Sequence, residues 1–391
     1  MHTVDRFWSE AVGQEAAIET LEHVTSPEGA SDLAHAWLIT GPPGSGRSNL
    51  AYRFAAALIA RTPDEREEVY RQVRAHTHPD LEVLTTEGSI IKIDDARHVA
   101  SRSNYAPTNG RFRVILAEDA DRLPERTSNT ILKELEEPPA TTVWVLCAPS
   151  EADLLPTISS RARSLRLVTP TQEAVAQLLE ERDNIAPDEA ARAARLAQSH
   201  IGMAKKLATD AEARERREDT LRTVLAIGSL SDAMRAAGRL AKLAEADAQA
   251  LTESRDEKER EELLRNLGLA PGAAIPMKLR AQFRELEDDQ KRRAKRSVTD
   301  GIDRILTDIG SVLRDTALVA LDAQQPLINE EFRTQIEALA ASIGAEGVLY
   351  RLDRVAAARE QLLRNVSAAL VLESLMASFL LEAPHHRKDR A

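Results

Sequence analysis

Short apolar runs alternate with amphipathic stretches along the N-terminal part of the chain. Residues 48–59 have helical spacing, with Leu50, Phe54 and Leu58 on one face. Residues 114–117 are continuously apolar, which is typical of a strand buried on both faces. Strands alternating with helices predict a parallel sheet covered by helices on both sides. The predicted strands are 35–40, 81–85, 113–117, 142–147 and 164–168.

The pattern changes after Pro170, where the strand-like runs stop. Residues 171–208 have the spacing of short helices, and the chain from 212 onward is helical in pattern. Residues 268–276 are rich in Gly, Ala and Pro and are the best candidate for a loop. The expected fold class is therefore α/β plus all-α. The predicted domains are 1–168 (α/β), 169–212 (small and helical) and 213–391 (larger and helical).

Composition narrows the choice of function. The chain has 391 residues, of which 43% are hydrophobic and only 3% aromatic, so it can bury a large core in a mainly helical protein. Its formal net charge is −11. A protein that grips DNA mainly through its own surface is usually basic. Any DNA contact must therefore come from a local patch or from partner chains.

The cysteine count and the apolar runs indicate the compartment. Cys147 is the single cysteine, which excludes an internal disulfide framework and a Cys-rich zinc site. Residues 1–10 contain no apolar region typical of a secretory signal. No run of 18 apolar residues is present, so no transmembrane helix is expected. We expect a soluble, cytoplasmic protein without a metal site or membrane contact.

A glycine-rich segment follows the first predicted strand and precedes a predicted helix. Gly41, Gly44 and Gly46 give backbone N–H groups the freedom to converge on a phosphate, and Ser48 stands where a hydroxyl would ligate Mg²⁺. The motif requires Lys at position 47, where this chain has Arg47. Arginine is longer and planar, so it does not replace the compact lysine charge. An inherited turn that binds phosphate weakly is favoured over a site of nucleotide turnover.

Two acids follow the third predicted strand. An ATPase of this kind ends that strand in Asp and then Glu, where the first acid holds Mg²⁺ and the second activates water. Here the order is reversed, as Glu118 and Asp119. Glu118 is one methylene too long for the metal position, and Asp119 is one too short for the base. Two solvated acids after a strand remain an alternative.

Three further motifs occur in a characteristic order. Residues 129–139 read Asn-Thr-Ile-Leu-Lys-Glu-Leu-Glu-Glu-Pro-Pro, residues 157–163 contain Ser160-Arg161-Ala162, and residues 77–80 read Thr-His-Pro-Asp. Together they resemble the clamp-loader branch of the AAA+ proteins. The resemblance covers most of the chain and is strong over residues 41–163.

The resemblance implies an architecture and roles for individual residues. It implies a AAA+ nucleotide-binding-type domain, a small helical lid and a C-terminal helical collar that holds subunits together. Arg161 matches the arginine finger that reaches the ATP of a neighbouring subunit, where it stabilises charge on the transferred phosphoryl group. Without this context, Arg161 would be interpreted as a surface charge. Lys205 lies near the arginine of the family's second sensor motif.

Departures from the family pattern favour a subunit that is not a motor. The four zinc-binding cysteines of clamp-loader ATPase subunits are missing from residues 61–77, so no such zinc site is expected. Ala148 and Pro149 stand where the first sensor carries a polar side chain. With the altered loop and the reversed acids, these departures fit the gamma/tau ATPase subunit badly. No cofactor is required; weak binding of ATP or ADP with Mg²⁺ stays open.

The implied partners are gamma/tau and delta clamp-loader subunits, with the sliding clamp and primer–template DNA, within a DNA polymerase III holoenzyme. Two alternatives remain: an active AAA+ ATPase in which Arg47 works in place of lysine, and a nucleotide-independent scaffold outside replication. The basic run 291–296 is interpreted as an ion-paired helix rather than a nucleic-acid patch, because acids precede it at 285–289.

Overall fold

The computed structural model describes residues 6–86, 90–267, 276–364 and 366–381. They form two compact units, Met1–Thr209 and Asp210–Ala391. The strands are β1 (Ala36–Thr40), β2 (Leu81–Leu84), β3 (Arg113–Ala117), β4 (Thr142–Ala148) and β5 (Arg163–Arg166). The helices of the first unit are α1 (Glu15–Thr25), α2 (Arg47–Ile59), α3 (Arg66–Arg74), α4 (Ile93–Ser103), α5 (Glu125–Glu136), α6 (Pro156–Ser159), α7 (Gln172–Asp183), α8 (Pro187–Leu196) and α9 (Ile201–Thr209). Those of the second unit are α10 (Ala211–Leu225), α11 (Leu230–Asn266), α12 (Arg280–Ala320), α13 (Arg333–Leu363) and α14 (Ala368–Ser378).

All five strands pair in parallel, in the order β2-β3-β4-β1-β5. Strand β4 lies between β1 and β3, with Leu38 opposite Leu146 and Ile115 opposite Trp144. The predicted parallel sheet is confirmed, and each predicted strand overlaps an observed one. Because the strands are parallel, the ends of β1 and β3 meet at one edge, and this places the glycine loop near the two acids.

Side chains of the central strands alternate between two apolar layers. Trp37 and Ile39 of β1 join the core formed with α1 and α2. Leu38, between them, joins the core formed with α4 and α5. Trp37 and Trp144, on opposite faces, are both fully buried. A continuous apolar run is therefore what a strand with helices on both faces requires.

Helices α7, α8 and α9 follow the sheet within the first unit. Pro187 occupies the first turn of α8, where its missing N–H costs nothing. Thr171 caps α7 by accepting a hydrogen bond from the Ala174 N–H. These short helices confirm the helical interpretation of residues 171–208. The separation of a lid at residue 168 stays a prediction, because the sheet and these helices belong to one compact unit.

The described residues of the second unit form helices joined by turns, without a strand. Its main core joins α11, α12, α13 and α14, with Leu306, Ile309 and Leu372 buried. Helix α13 is interrupted at Gly344, whose φ of 61° lies in the left-handed region that favours glycine. The fold class, α/β followed by all-α, is confirmed. The predicted loop at 268–276 lies outside the described residues, apart from its last position.

Candidate functional site

The glycine loop runs from the end of β1 into the start of α2. Gly44 and Gly46 have φ values of 84° and 87°, and Gly46 is the N-cap of α2. The loop is held at both ends. The Gly41 N–H donates to the Pro149 carbonyl at 3.2 Å, and the Gln14 side-chain amide donates to the Ser45 carbonyl at 3.3 Å. Gly44 and Gly46 therefore provide the left-handed backbone of the turn between β1 and α2, and phosphate binding by this turn stays a prediction.

The start of α9 packs directly on this loop. A Cβ at Gly44 would lie 2.4 Å from Cγ of His200, so a side chain at this position is excluded. The Ile201 N–H also lies 3.4 Å from the Gly44 carbonyl, towards which it donates. Gly44 is thus required for close packing as well as for its backbone angles. Sequence reasoning did not identify His200, which is distant in the chain and outside the motifs of the sequence analysis.

Two buried donors near the loop have no hydrogen-bond partner in the described part of the chain. They are the Ser45 hydroxyl and Nη1 of Arg47. Buried donors of this kind are usually satisfied, and an unmet one costs about 1–3 kcal/mol. Phosphate oxygens are acceptors that would satisfy both groups. The residues of the loop therefore fit a phosphate ligand.

The first acid, Glu118, is bound by a neighbouring side chain. The Tyr52 hydroxyl on α2 donates to Oε1 of Glu118 and also lies 2.6 Å from Nε2 of His76. Burial, and then the bond to Glu118, hold the pKa of Tyr52 well above its ordinary value. The Tyr52 hydroxyl therefore stays protonated and donates a hydrogen bond. Its acceptor, Glu118, stands at the position where the family pattern has a metal ligand.

The second acid also has a partner within the chain. Asp119 forms an ion pair with Arg122 across 3.8 Å, one helical turn away. The next acid, Asp121, is half-buried, and burial raises its pKa. Among the residues that the structure describes, no group of three or more His, Cys, Asp or Glu side chains could hold a metal ion.

The residues at the two expected sensor positions make contacts within the chain. Ala148 is the last, buried residue of β4, and Pro149 offers its carbonyl to Gly41. Nζ of Lys205 on α9 donates to Oδ1 of Asp183 at 2.6 Å. Its ammonium group is thus directed to the end of α7. Ser48 lies in the first turn of α2 and is partly exposed.

Arg161 lies beyond α6, on the surface of the first unit. Its Nε donates to Oε1 of Glu136 at 2.7 Å, and Nη2 contacts the same oxygen. Nη1 donates to the Thr157 carbonyl at 2.8 Å. The Arg161 side chain is 33% exposed and that of Glu136 is 48% exposed, so solvent reaches both partners. Such a guanidinium can exchange its carboxylate for another anion.

The motif at residues 77–80 has a structural explanation. Asp80 is fully buried and accepts hydrogen bonds from the N–H groups of Asn109 and Gly110 at 2.8 and 2.7 Å, and from that of Thr108. The guanidinium of Arg113 lies 3.6 Å away. Burial raises the pKa of Asp80, but the three backbone donors outweigh it and the net shift is downward. Asp80 thus fixes the loop that leads into β3.

A five-stranded parallel sheet with a glycine loop after β1, followed by a helical C-terminal unit, is the fold class of the AAA+ clamp-loader proteins. Two family models match the chain: "DNA polymerase III, delta subunit" over residues 13–171, and its C-terminal counterpart over residues 254–380. The chain belongs to the family of DNA polymerase III clamp-loader subunits. The resemblance drawn from the sequence motifs is confirmed.

Curated relatives include both kinds of subunit. The delta' subunit of Pseudomonas aeruginosa is 34% identical over 34% of this chain and 43% of its own length. The delta' subunit of Escherichia coli is 30% identical over 44% of this chain and 54% of its own. The tau subunit of Salmonella typhimurium is 30% identical over 44% of this chain and 27% of its own. The chain therefore spans about half the length of the delta' relatives. None of the described helices is long and apolar enough to cross a bilayer.

Proposed function

We propose that this chain is a delta-prime-type subunit of a DNA polymerase III clamp loader. In this role it acts in the cytoplasm and helps the complex load the sliding clamp on primed DNA. It assembles with gamma/tau and delta subunits through its helical collar. It donates Arg161 to the ATP site of a neighbouring subunit and does not itself drive the cycle.

The observation that carries the proposal is the hydrogen bond between Tyr52 and Glu118. An ATPase of this kind holds Mg²⁺ against the phosphates with an aspartate at the end of this strand. Here the first acid is bonded to Tyr52 and the second is paired with Arg122. Arg47 stands where the motif has lysine, and its planar guanidinium does not replace the compact ammonium group that contacts the phosphates. These features support a site that binds a nucleotide weakly, without hydrolysis.

The surroundings of Arg161 support its role in trans. The side chain is at the surface and charged, and its only described carboxylate partner, Glu136, is itself half exposed. An arginine supplied by a neighbouring subunit stabilises the negative charge that develops during phosphoryl transfer. When Arg161 releases Glu136 and binds a phosphate instead, its positive charge becomes available to the neighbouring ATP site.

Steady-state ATPase measurements test the proposal. The chain alone should show no turnover. Addition of the cognate gamma/tau and delta subunits, the clamp and primed DNA should give turnover that depends on this chain. Arg161→Ala should then lower the stimulated rate by about a hundredfold, the order expected for loss of one transition-state donor. The complex should still assemble on a sizing column.

Arg166→Ala is the matched control, because Arg166 is an exposed arginine on the neighbouring strand β5. It should leave the rate unchanged. Normal ATPase and clamp loading by the Arg161→Ala complex would show that the finger assignment is wrong.

An active ATPase of the gamma/tau type is the second candidate, favoured by the 30% identity to a tau subunit and by the retained Gly41, Gly44, Gly46 and Ser48. In that case the isolated chain would hydrolyse ATP, and Arg47→Lys would leave its rate nearly unchanged.

A further inference from the structure

Helices α11 and α12 form a braced hairpin in the second unit. Arg293 is nearly buried and donates to Oδ1 of Asp256 at 2.7 Å and to both carboxylate oxygens of Glu259 at 3.0 Å. The Gln290 side-chain amide donates to the Asp256 carbonyl at 3.0 Å. These bonds fix which residues of the two helices face one another.

Contacts between α11 and α12 continue towards the tip of the hairpin, where α11 ends and α12 begins. Arg260 lies over the ring of Phe283 at 6.0 Å and forms an ion pair with Glu287 at 3.7 Å. Phe283 and Leu264 are both buried, so the two helices remain in contact at this level. Arg265 and Arg284 directly follow these buried positions and are both exposed.

The charges at the tip differ from those of the rest of the chain. Residues 263–284 contain four basic residues and no acidic one, in a chain of net charge −11. All four are exposed, and none forms an ion pair with a described side chain: Arg265, Lys278, Arg280 and Arg284. Further along the hairpin, Lys291 and Arg292 pair with acids one helical turn away.

We propose that these four residues, the basic tip, bind the phosphate backbone of DNA. Arg280 and Arg284 are one turn apart on α12 and therefore share a face. The planar guanidinium suits phosphate oxygens, and exposed cations that form no ion pair with a described side chain attract a polyanion. The basic tip would supply the local patch that an acidic chain needs to contact DNA. The choice of DNA as the polyanion rests on the proposed function.

The contact is directed at the backbone and is independent of base sequence. Phosphate neutralisation by lysine and arginine releases counterions, so the affinity falls as salt rises, with a slope set by the number of contacts. Four contacts with duplex DNA correspond to a loss of about a hundredfold in affinity between about 50 and about 200 mM salt. Both the affinity and its salt slope can be measured.

The test is fluorescence anisotropy of labelled primed DNA, duplex and single strand, titrated with the full chain over a range of salt. Replacement of all four tip residues by glutamine should weaken binding at least about tenfold at low salt and flatten the salt slope. Glutamine suits exposed helical positions, so the fold should be kept, and circular dichroism checks it.

A second quadruple variant provides the matched control. Lys258, Lys291, Arg292 and Lys295 are exposed residues of the same hairpin, and glutamine at all four removes the same charge. This variant should keep most of the binding. Equal losses in both variants, loss only in the control, or no binding by the native chain would each overturn the proposal. Tip-dependent binding by a chain that joins no clamp loader would reject the proposed function and leave the basic tip standing.

Discussion

Two glutamates of the first unit each bind one side chain, yet their situations differ. Glu118 accepts from Tyr52, a neutral donor that burial keeps protonated. Glu136 accepts from Arg161 at the surface, where a charged donor can change partners. A carboxylate with an internal neutral partner is fixed, whereas one with an exposed cation can be displaced by a stronger anion. In the proposed function, the first arrangement disfavours a metal ion at Glu118, and the second leaves Arg161 available to a neighbouring subunit.

Asp80 is a third carboxylate with partners inside the chain, and it is fully buried. Its replacement should cause the largest loss of unfolding free energy. Asp80→Ala would leave three backbone N–H groups and the buried guanidinium of Arg113 without their carboxylate. Loss of one partner of a buried charged network costs about 3–5 kcal/mol. Urea unfolding of the first unit should show this loss. A change below about 1 kcal/mol would show that water replaces the carboxylate.

The pH dependence of unfolding checks the same group. The folded pKa of Asp80 lies below its ordinary value, so its contribution to stability is present above that ordinary value. The contribution is lost as the pH falls through the folded pKa. Asp80→Asn cannot titrate, so its stability should fall less steeply with acid than that of the native chain.

Tyr52→Phe should have an intermediate effect. It removes the donor to Glu118 and leaves a half-buried carboxylate without it, so a loss of about 1–3 kcal/mol is expected. Tyr70→Phe is a suitable control, because the Tyr70 hydroxyl donates to Oδ1 of Asn49 at 2.6 Å, away from the acids. Both variants should be destabilised, but only Tyr52→Phe should strengthen Mg²⁺-dependent nucleotide binding, measured by calorimetry.

No ATPase activity should appear in Tyr52→Phe, because Arg47 and Asp119 remain unsuited to turnover. Unchanged Mg²⁺ dependence of nucleotide binding would show that Tyr52 does not keep the metal ion from Glu118.

The sequence was a good guide to the strands and a poor one to the partners of the acids. Residues 113–117 were predicted within the bounds observed, because a strand buried on both faces needs an unbroken apolar run. Tyr52 is separated from Glu118 by 66 residues, and His76 also belongs to another segment. On α2, Tyr52 has only the appearance of a core aromatic. Contacts between distant segments leave no periodic signal.

Helix boundaries in the second unit show a related limit. The apolar spacing predicts helices over 333–343 and 348–381. The interruption of α13 at Gly344 agrees with the predicted gap between these two helices. The second stretch is divided between α13 and α14, because the Val366 N–H turns back to the Gln361 carbonyl and closes α13. A short connection between two helices barely shifts their periodicity.

Glu136→Gln should have the smallest effect and tests the surface half of the comparison. Nε and Nη2 of Arg161 are directed at Glu136, so in the proposed role Arg161 has to give up this contact to reach a phosphate. An exposed ion pair is worth at most about 1 kcal/mol. Its loss should therefore raise the DNA-stimulated kcat of the assembled complex by up to about fivefold, with little change in KM or stability.

Glu137→Gln is the control, since Glu137 is the adjacent exposed glutamate. The double variant Glu136→Gln with Arg161→Ala should behave like Arg161→Ala alone, because the glutamate acts only through the arginine. A lower rate in Glu136→Gln, restored by Glu136→Asp, would instead show that the carboxylate holds the arginine in its working position.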